Sequence, residues 1–331
     1  MGIKKSTDII KYLMDDKFEY PSYKIKDFYS FCSEGQRFDE IEFFDTSSGE
    51  SFEAMFSRNQ TLTSVPKIDT SNGVVFATMF YLCQKLTSIP ELDTSKGVDF
   101  SRMFDRCESL TSIPELDTSN GENFSQMFND CYKLTSIPEL DTGKGTDFSQ
   151  MFSSCDSLTI IPQLDVSNGI DFSYMFNDCY KLTSIPELDT SKGTNFTYMF
   201  DSCRALTSVS KLDVNSGENF SYMFNGCTNL TSIPELNASN GTDFSYMFYK
   251  CGALTSASKL NISKNNGTNF RYMFYNCNNL TSIPELDTSN GTNFESMFDG
   301  CTNLVSVPRL DVGNGTKFTY IFNNCESLQE L

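Results

Sequence analysis

Apolar residues recur along this chain with a period of 24 residues, from about Asp45 to the last residue. A Met-Phe pair marks each copy, and only the step that ends at Met273 is longer, at 26 residues. A repeat of this length is typical of a solenoid, because each unit can bury its apolar face only by stacking on its neighbours. The pairs are Met55/Phe56, Met79/Phe80, Met103/Phe104, Met127/Phe128, Met151/Phe152, Met175/Phe176, Met199/Phe200, Met223/Phe224, Met247/Phe248, Met273/Phe274 and Met297/Phe298, and Ile321/Phe322 closes the series.

The spacing within one repeat predicts two short elements. From Phe148 to Cys155, apolar residues stand at i, i+3, i+4 and i+7, which is the spacing of one face of a helix of about two turns. The four residues before Pro138 predict a short strand, because proline lacks the amide donor that a longer ladder would need. The sequence therefore predicts an α/β solenoid whose 24-residue coils each hold a short strand and a short helix.

Two repeated columns, one of glycine and one of aspartate, mark the turn that precedes the predicted helix. A glycine stands there in every coil, from Gly49 to Gly315, which predicts a turn with positive φ. An aspartate column from Asp45 to Asp311, with Asn237 and Asn261 as its two substitutes, predicts Asx-type turns in which the side chain accepts from nearby amides. A calcium ladder is the functional alternative, but the glycine-rich nonapeptide of calcium-binding solenoids is missing.

Eleven of the twelve cysteines fall in one column, from Cys83 to Cys325, on the same face as the Met-Phe pairs. Stacked coils about 4.8 Å apart would hold their Cβ atoms slightly farther apart than a disulfide prefers. A tetrahedral zinc site would need Cys-x-x-Cys pairs or histidines, and the chain has neither. The column therefore predicts a ladder of reduced, inert thiols and no metal.

The chain has 43 acidic and 25 basic residues, no histidine and no tryptophan, for a formal charge of −18. This charge repels phosphate backbones and anionic lipid headgroups, so we expect neither nucleic acid as a partner nor insertion into a membrane. Nearly every polar residue is replicated from coil to coil, whereas catalysis needs a singular constellation of groups. The sequence therefore predicts a protein that is not an enzyme and needs no cofactor.

Many coils carry a run close to Leu-Thr-Ser-Ile-Pro-Glu-Leu-Asp-Thr-Ser-Asn-Gly-Thr-Asn-Phe, followed by Met-Phe-x-x-Cys-x-x-Leu. This motif closely resembles the BspA-like leucine-rich repeats of bacterial surface proteins. The resemblance implies a curved solenoid used for adhesion to host proteins or to other cells. Such repeats also occur in surface proteins of parasitic protists and in phage tail or virion proteins.

The ends of the chain predict two further features. Residues 1–25 are expected to form a helical cap or anchor, and residues 26–331 a leucine-rich-repeat-like solenoid of about 12 coils whose first coil, 26–56, is degenerate. The last coil would expose an apolar cross-section that includes Phe318, Phe322, Cys325 and Leu328, which predicts end-to-end docking on another chain.

A binding surface should use positions that repeat without a packing reason. The residue before Met lies about 200° around the predicted helix from its first Phe, yet it is a tyrosine in six coils, and tyrosine gives large rigid contact area with a polar tip. Inheritance of a tyrosine during repeat duplication is the alternative. The variable residues beside each cysteine are expected on the same edge. The candidate binding residues are Tyr174, Tyr198, Tyr222, Tyr246, Tyr272 and Tyr320 in the column, with Tyr132, Tyr180, Arg204, Tyr249 and Tyr275 beside it.

The first functional hypothesis is a non-enzymatic recognition and adhesion solenoid displayed on a surface, as a phage virion or tail-associated protein. Its partner would be a protein or surface polysaccharide of a host cell, or another virion protein. Residues 1–6 give no export signal, which favours a virion over an exported adhesin. The alternative is a structural scaffold or adhesin inside or on the surface of a bacterium or protist, and a cytoplasmic location fits the missing signal as well.

Overall fold

The computed structural model describes residues 25–33, 45–263 and 266–329. The predicted N-terminal cap lies outside these residues, except for Ile25. Within them, successive coils stack in parallel through single β-bridges that join the residue before the first phenylalanine of each coil, from Asp27 to Lys317. The 26-residue coil keeps this register, with Asp243 bridged to Asn269. The predicted solenoid is therefore confirmed.

Regular strand pairing is short. Strand β1 (Leu236–Asn237) pairs in parallel with β2 (Leu260–Asn261), with Leu236 opposite Leu260. The strand predicted just before Pro138 is not formed. There, Thr135 N donates to Thr111 O of the preceding coil at 3.0 Å, and this single bond does not make a strand.

The predicted helix is also absent, since the described residues contain no helix. Between Phe148 and Cys155 the amides alternate between two kinds of acceptor. Gln150 N donates to Ser173 O of the next coil at 2.8 Å, whereas Met151 N donates to Phe148 O of its own coil at 3.2 Å. The segment is a series of tight turns that hydrogen-bonds to its neighbours, and it presents the same apolar face that a helix would.

This backbone places two residues of most coils in the left-handed region. Gln150 has φ of 56° and Ser154 has φ of 57°, and the same two columns repeat this conformation with side chains as large as Arg and Tyr. Left-handed backbone costs an L-residue roughly 1–2 kcal/mol. It persists because the amide of the left-handed residue is itself bonded to the adjacent coil, as Gln150 N is to Ser173 O and Ser154 N is to Asn177 O.

The core confirms the predicted columns. Phe148 and Phe152 are fully buried within two stacks, with Phe148 5.8 Å from Phe172 and Phe152 5.7 Å from Phe176, ring centroid to centroid. A column of leucines from Leu62 to Leu304, three residues after each cysteine position, and the cysteines from Cys83 to Cys301 are buried beside them. In the last coil Phe318 is 39% exposed and borders an open cleft with Phe322 and Val312. End-to-end docking through this face stays a prediction.

The glycine column has a different cause from the one predicted. The column glycines from Gly49 to Gly241, with Gly291 and Gly315, do not have positive φ. A Cβ on Gly145 would lie 2.5 Å from Phe148 Cζ and 2.9 Å from Phe124 Cδ2. The column is therefore glycine because two stacked phenylalanine rings occupy the space that a side chain would need.

The predicted Asx-type turns are confirmed. The Asp93 carboxylate accepts from Ser95 N at 3.1 Å and from Ser95 Oγ at 2.7 Å, and these bonds lower the pKa of Asp93. Thr94, which follows it, is buried and donates from Oγ1 to Asp117 O of the next coil at 2.8 Å. The aspartate shapes the turn and the threonine fastens it to its neighbour.

Candidate binding surface

Five tyrosines of the predicted column form one continuous stack, which we call the tyrosine stripe: Tyr174, Tyr198, Tyr222, Tyr246 and Tyr272. Ring centroids lie 4.5 Å apart for the first pair, 4.3 Å for the next two and 4.8 Å for the last. The first three pairs are parallel to within 7°. Such offset pairs contribute about 0.5–1.5 kcal/mol each beyond their burial.

The left-handed turn positions these rings. Tyr198 has φ of 57°, and its amide donates to Ser221 O of the next coil at 3.0 Å. Because every stripe residue has this backbone conformation, with φ between 56° and 60°, each side chain leaves the coil in the same direction. The rings are half-buried rather than fully exposed as the column position suggested, since each covers the faces of its neighbours.

The stripe offers edges and hydroxyl groups to solvent. Burial raises the pKa of Tyr198 and Tyr222, and it raises the pKa of Tyr246 to about 12. These hydroxyls therefore keep their protons at neutral pH, and hydrogen bonds link Tyr222 to both Tyr198 and Tyr246. Mutual stacking leaves little ring face free inside the stripe for a flat ligand.

A second pair of tyrosines turns one end of the stripe into a corner. Tyr249 and Tyr275 stack at 4.8 Å, and Tyr249 meets Tyr272 at 6.0 Å with the ring planes inclined by 70°. We call Tyr246, Tyr249, Tyr272 and Tyr275 the tyrosine corner. Most described coils have Asp, Asn or Ser where Tyr249 and Tyr275 stand. The corner is thus a cluster that breaks the repeat.

Cations lie against the corner rings. The Arg271 guanidinium carbon is 4.8 Å from the ring centroid of Tyr272, and Lys250 Nζ is 5.0 Å from that of Tyr249. Both distances are in the range of cation–π attraction. Arg271 Nε also lies 3.1 Å from Glu295 Oε2 of the next coil, although that N–H is not aligned for a hydrogen bond.

Sequence reasoning named the tyrosines of the corner but missed Arg271 and Glu295. Both stand in a column that holds serine or threonine in most coils, as at Ser173, Thr197 and Ser221. The departure of two consecutive members from that column is the signal that could have found them.

The remaining predicted residues lie outside the stack. In the described chain, no ring contact joins Tyr132, Tyr180 or Tyr320 to the stripe. Tyr132 donates to Asp130 Oδ1 at 3.1 Å, and Tyr180 lies under Arg204 at 4.7 Å. Tyr320 is 64% exposed and separated from Tyr272 by Ser296.

A carboxylate lies between the stripe and the cysteine column. Asp201 accepts from the side-chain amides of Asn225 and Asn177, the latter at 3.3 Å, and from Ser202 Oγ at 3.4 Å. Burial raises the pKa of Asp201 to about 6, against the opposing effect of these bonds. Its oxygens therefore accept from one side chain of each adjacent coil and from Ser202 of its own coil.

Two other features of the described residues bear on ligands. No group of three or more His, Cys, Asp or Glu in residues 25–33, 45–263 and 266–329 has the arrangement of a metal site. In the same part of the chain no helix is long and apolar enough to span a bilayer.

The chain matches one protein-family model along most of its length. Residues 23–136, 77–185, 170–282 and 258–331 each match the family model described as "Mycoplasma protein of unknown function, DUF285". These matches overlap and together extend from residue 23 to residue 331. No curated protein matches the chain.

Three solved structures are similar to the chain at low identity. The T. pallidum leucine-rich repeat protein is 20% identical, covers 59% of this chain and 77% of its own, and has a TM-score of 0.36. A leucine-rich repeat protein from Bacteroides ovatus is 18% identical over 82% and 86%, with a TM-score of 0.40. A leucine-rich cell surface protein from Faecalibacterium prausnitzii is 20% identical over 87% and 73%, with a TM-score of 0.37. All three are described as leucine-rich proteins, the class that the repeat motif resembles.

Proposed function

This chain belongs to the family described as "Mycoplasma protein of unknown function, DUF285", and we propose that it is a non-enzymatic binding solenoid that holds a protein partner against its tyrosine stripe and corner. The observation that carries the proposal is the corner itself. It is an unrepeated cluster of four tyrosines with two cations, set on a scaffold whose other columns repeat for reasons of packing.

The composition of this surface favours a protein partner. Tyrosine and arginine are enriched among the residues that dominate protein–protein binding energy. The stripe rings are held on both sides by stacking, so they lose little side-chain freedom when a partner binds, which lowers the entropic cost of association. The hydroxyl groups on these rings, which lie 4.3–4.8 Å apart, add a polar edge along the same line.

Other ligand classes fit less well. Single-stranded nucleic acid binds through open aromatic faces and a positive groove, whereas the stripe rings cover one another and the chain carries a charge of −18. Catalysis would need an activated nucleophile or base. The column thiols, such as Cys203, are buried and have a raised pKa, and each serves the core.

The setting of this binding activity follows from the resemblance alone. Display on a bacterial surface as an adhesin and display on a phage virion or tail both present the stripe to a partner. A host surface protein and another virion protein are the corresponding partners.

Photo-cross-linking in the native source tests the proposal. A benzoylphenylalanine at Tyr222 should yield a discrete protein adduct, because this position lies in the middle of the stripe. The matched control carries the same group at Asn215, an exposed turn residue of the same coil. Adducts from Asn215 alone, or from neither position, would contradict the proposal.

A variant test complements the cross-link. Tyr198, Tyr222 and Tyr246 are changed together to Gln, the residue that occupies the same left-handed column at Gln126 and Gln150. The adduct formed from a probe at Tyr272 should then be lost while the fold is retained.

A further inference from the structure

We infer that the partner places an acidic, carboxylate-rich segment on the four coils that run from Tyr198 to Tyr275. The inference rests on the proposed function and specifies the chemistry of the partner. It follows from the distribution of charge over this face, from the way the cations are held, and from the hydroxyl groups between them.

Charge on this face is opposite in sign to that of the whole chain. Residues 196–206, 220–230, 244–254 and 270–280 carry three cations, Arg204, Lys250 and Arg271, and one carboxylate, Asp201. The equivalent segments of the four preceding coils, 100–110, 124–134, 148–158 and 172–182, carry four cations and five carboxylates. Even when Glu295 of the next coil, which pairs with Arg271, is counted with this face, its cations outnumber its carboxylates by three to two, in a chain of charge −18.

Asp201 does not neutralise Arg204 or Lys250. Asp201 is half-buried, and its oxygens accept from Asn225, Asn177 and Ser202. The described ion pairs of this chain do not include Arg204 or Lys250. Both residues are exposed. Their charge is available to an incoming group.

Arg271 shows which group the corner accepts. The chain itself brings the carboxylate of Glu295 to one side of this guanidinium, 3.1 Å from Nε, with Nη2 donating to Oε1 at 3.4 Å. A guanidinium has five N–H donors, so donors remain for a second carboxylate. The ring of Tyr272 at 4.8 Å holds the guanidinium plane in place.

Protonated hydroxyls complete the surface. Tyr198, Tyr222 and Tyr246 keep their protons at neutral pH, and hydrogen bonds link Tyr246 to Tyr222 and Tyr222 to Tyr198. The stripe therefore adds no negative charge beside the three cations and does not repel consecutive carboxylates on a peptide. Closed ring faces, with rings 4.3 Å apart, disfavour the stacking of sugars or bases.

Direct binding tests the inference. Fluorescence anisotropy measures a labelled oligo-glutamate peptide against the folded chain, with oligo-glutamine, heparin and single-stranded DNA as comparison ligands. We expect oligo-glutamate to bind more tightly than the other three, with an affinity that falls as salt is raised. Equal or tighter binding of heparin or DNA would overturn the inference, because a general polyanion site would then explain the result.

Matched charge variants locate the site. The changes Arg204→Gln, Lys250→Gln and Arg271→Gln together should weaken oligo-glutamate binding about tenfold or more. The control changes Lys96→Gln, Lys144→Gln and Lys192→Gln together, which removes the same charge from lysines that donate to Asn72, Asn120 and Asn168 on the turn edge. Equal weakening in both triples would overturn the inference.

A double variant and a comparison with the cross-linking result complete the test. Because Arg271 pairs with Glu295, the double change Arg204→Gln with Lys250→Gln, which leaves that pair intact, should still weaken binding severalfold. No change in the double variant would count against the inference. If Tyr222 gives a specific adduct but oligo-glutamate does not bind, the acidic-segment inference alone is wrong. If Tyr222 gives no adduct and oligo-glutamate does not bind, the proposed function is wrong too.

Discussion

The Sγ of Cys155 lies 3.2 Å from the carbonyl oxygen of Phe128 in the preceding coil. That oxygen also accepts from the amide of Cys131 at 3.2 Å. The same thiol-to-carbonyl contact recurs along the column from Cys83 to Cys325 at 3.0–3.2 Å. Cysteine suits this column because its side chain packs as a small apolar group and still donates a weak hydrogen bond.

The thiols should therefore be protected while the protein is folded. Burial raises the pKa of Cys83 to about 12, and of Cys155 well above its ordinary value. Only the thiolate reacts with alkylating agents. Under native conditions at mildly alkaline pH, we expect iodoacetamide to modify Cys325 first, because that thiol is only half-buried.

Mass spectrometry after denaturation without reductant should then find all twelve cysteines as free thiols. A count near two would show that the column forms disulfides. Fast native labelling of Cys155 would show that the core is open.

The glycine column predicts that an added side chain would lower stability by a steric clash. Gly145→Ala should destabilise the fold by about 1–3 kcal/mol, as overpacking of a dense core usually does, because the new Cβ would meet Phe148 and Phe124. Gly252→Ala is the matched control, since its Cβ would meet no atom within 4 Å. Urea unfolding measures the stability of both variants. Equal stability of the two variants would rule out the steric explanation.

The phenylalanine stacks should carry much of the stability. Phe176 is fully buried, 5.7 Å from Phe152 and 5.5 Å from Phe200 by ring centroid. Phe176→Ala should cost about 3–5 kcal/mol. Ile160→Ala, at a residue that is 60% exposed, should cost far less. Denaturant unfolding decides, and a change below about 1 kcal/mol at Phe176 would show that this face is not the core.

Asp201 should make stability depend on pH. Its pKa is raised to about 6 in the folded protein, above the ordinary value of 3.8. The stabilisation of its protonated form is therefore complete below about pH 4 and is lost as the pH rises through about 6. Asp201→Asn should remove this dependence and make the protein more stable at pH 7.5 than the parent, because Asn already stands in the same column at Asn177 and Asn225.

Chemical denaturation at pH 4.5 and at pH 7.5 measures the difference. Asp93→Asn is the control of opposite sign, since the pKa of Asp93 is lowered and its stabilisation is lost as the pH falls. An Asp201→Asn variant that is less stable than the parent at both pH values would mean that the carboxylate is needed by its amide partners.

The sequence by itself determined the stacking and the core of this protein. A residue that faces the core in one coil faces it in every coil, so the 24-residue period alone placed Phe148, Phe152 and Cys155 inside. The Asx-type turn at Asp93 was also predictable, because the aspartate bonds to a residue only two positions away. Such local and periodic features follow directly from the order of residues along the chain.

The tertiary structure decided the backbone and the candidate site. Apolar spacing from Phe148 to Cys155 fits a helix and a series of turns equally well, and bonds such as Gln150 N to Ser173 O of the next coil selected the turns. The sequence predicts a positive φ at Gly145, whereas in the structure phenylalanine rings from two coils occupy the space that a side chain would need. The tyrosine corner arises because Tyr249 of one coil meets Tyr272 and stacks on Tyr275 of the next coil. Contacts between coils depend on the pitch and direction of the stack, and these are fixed only when the whole solenoid is assembled.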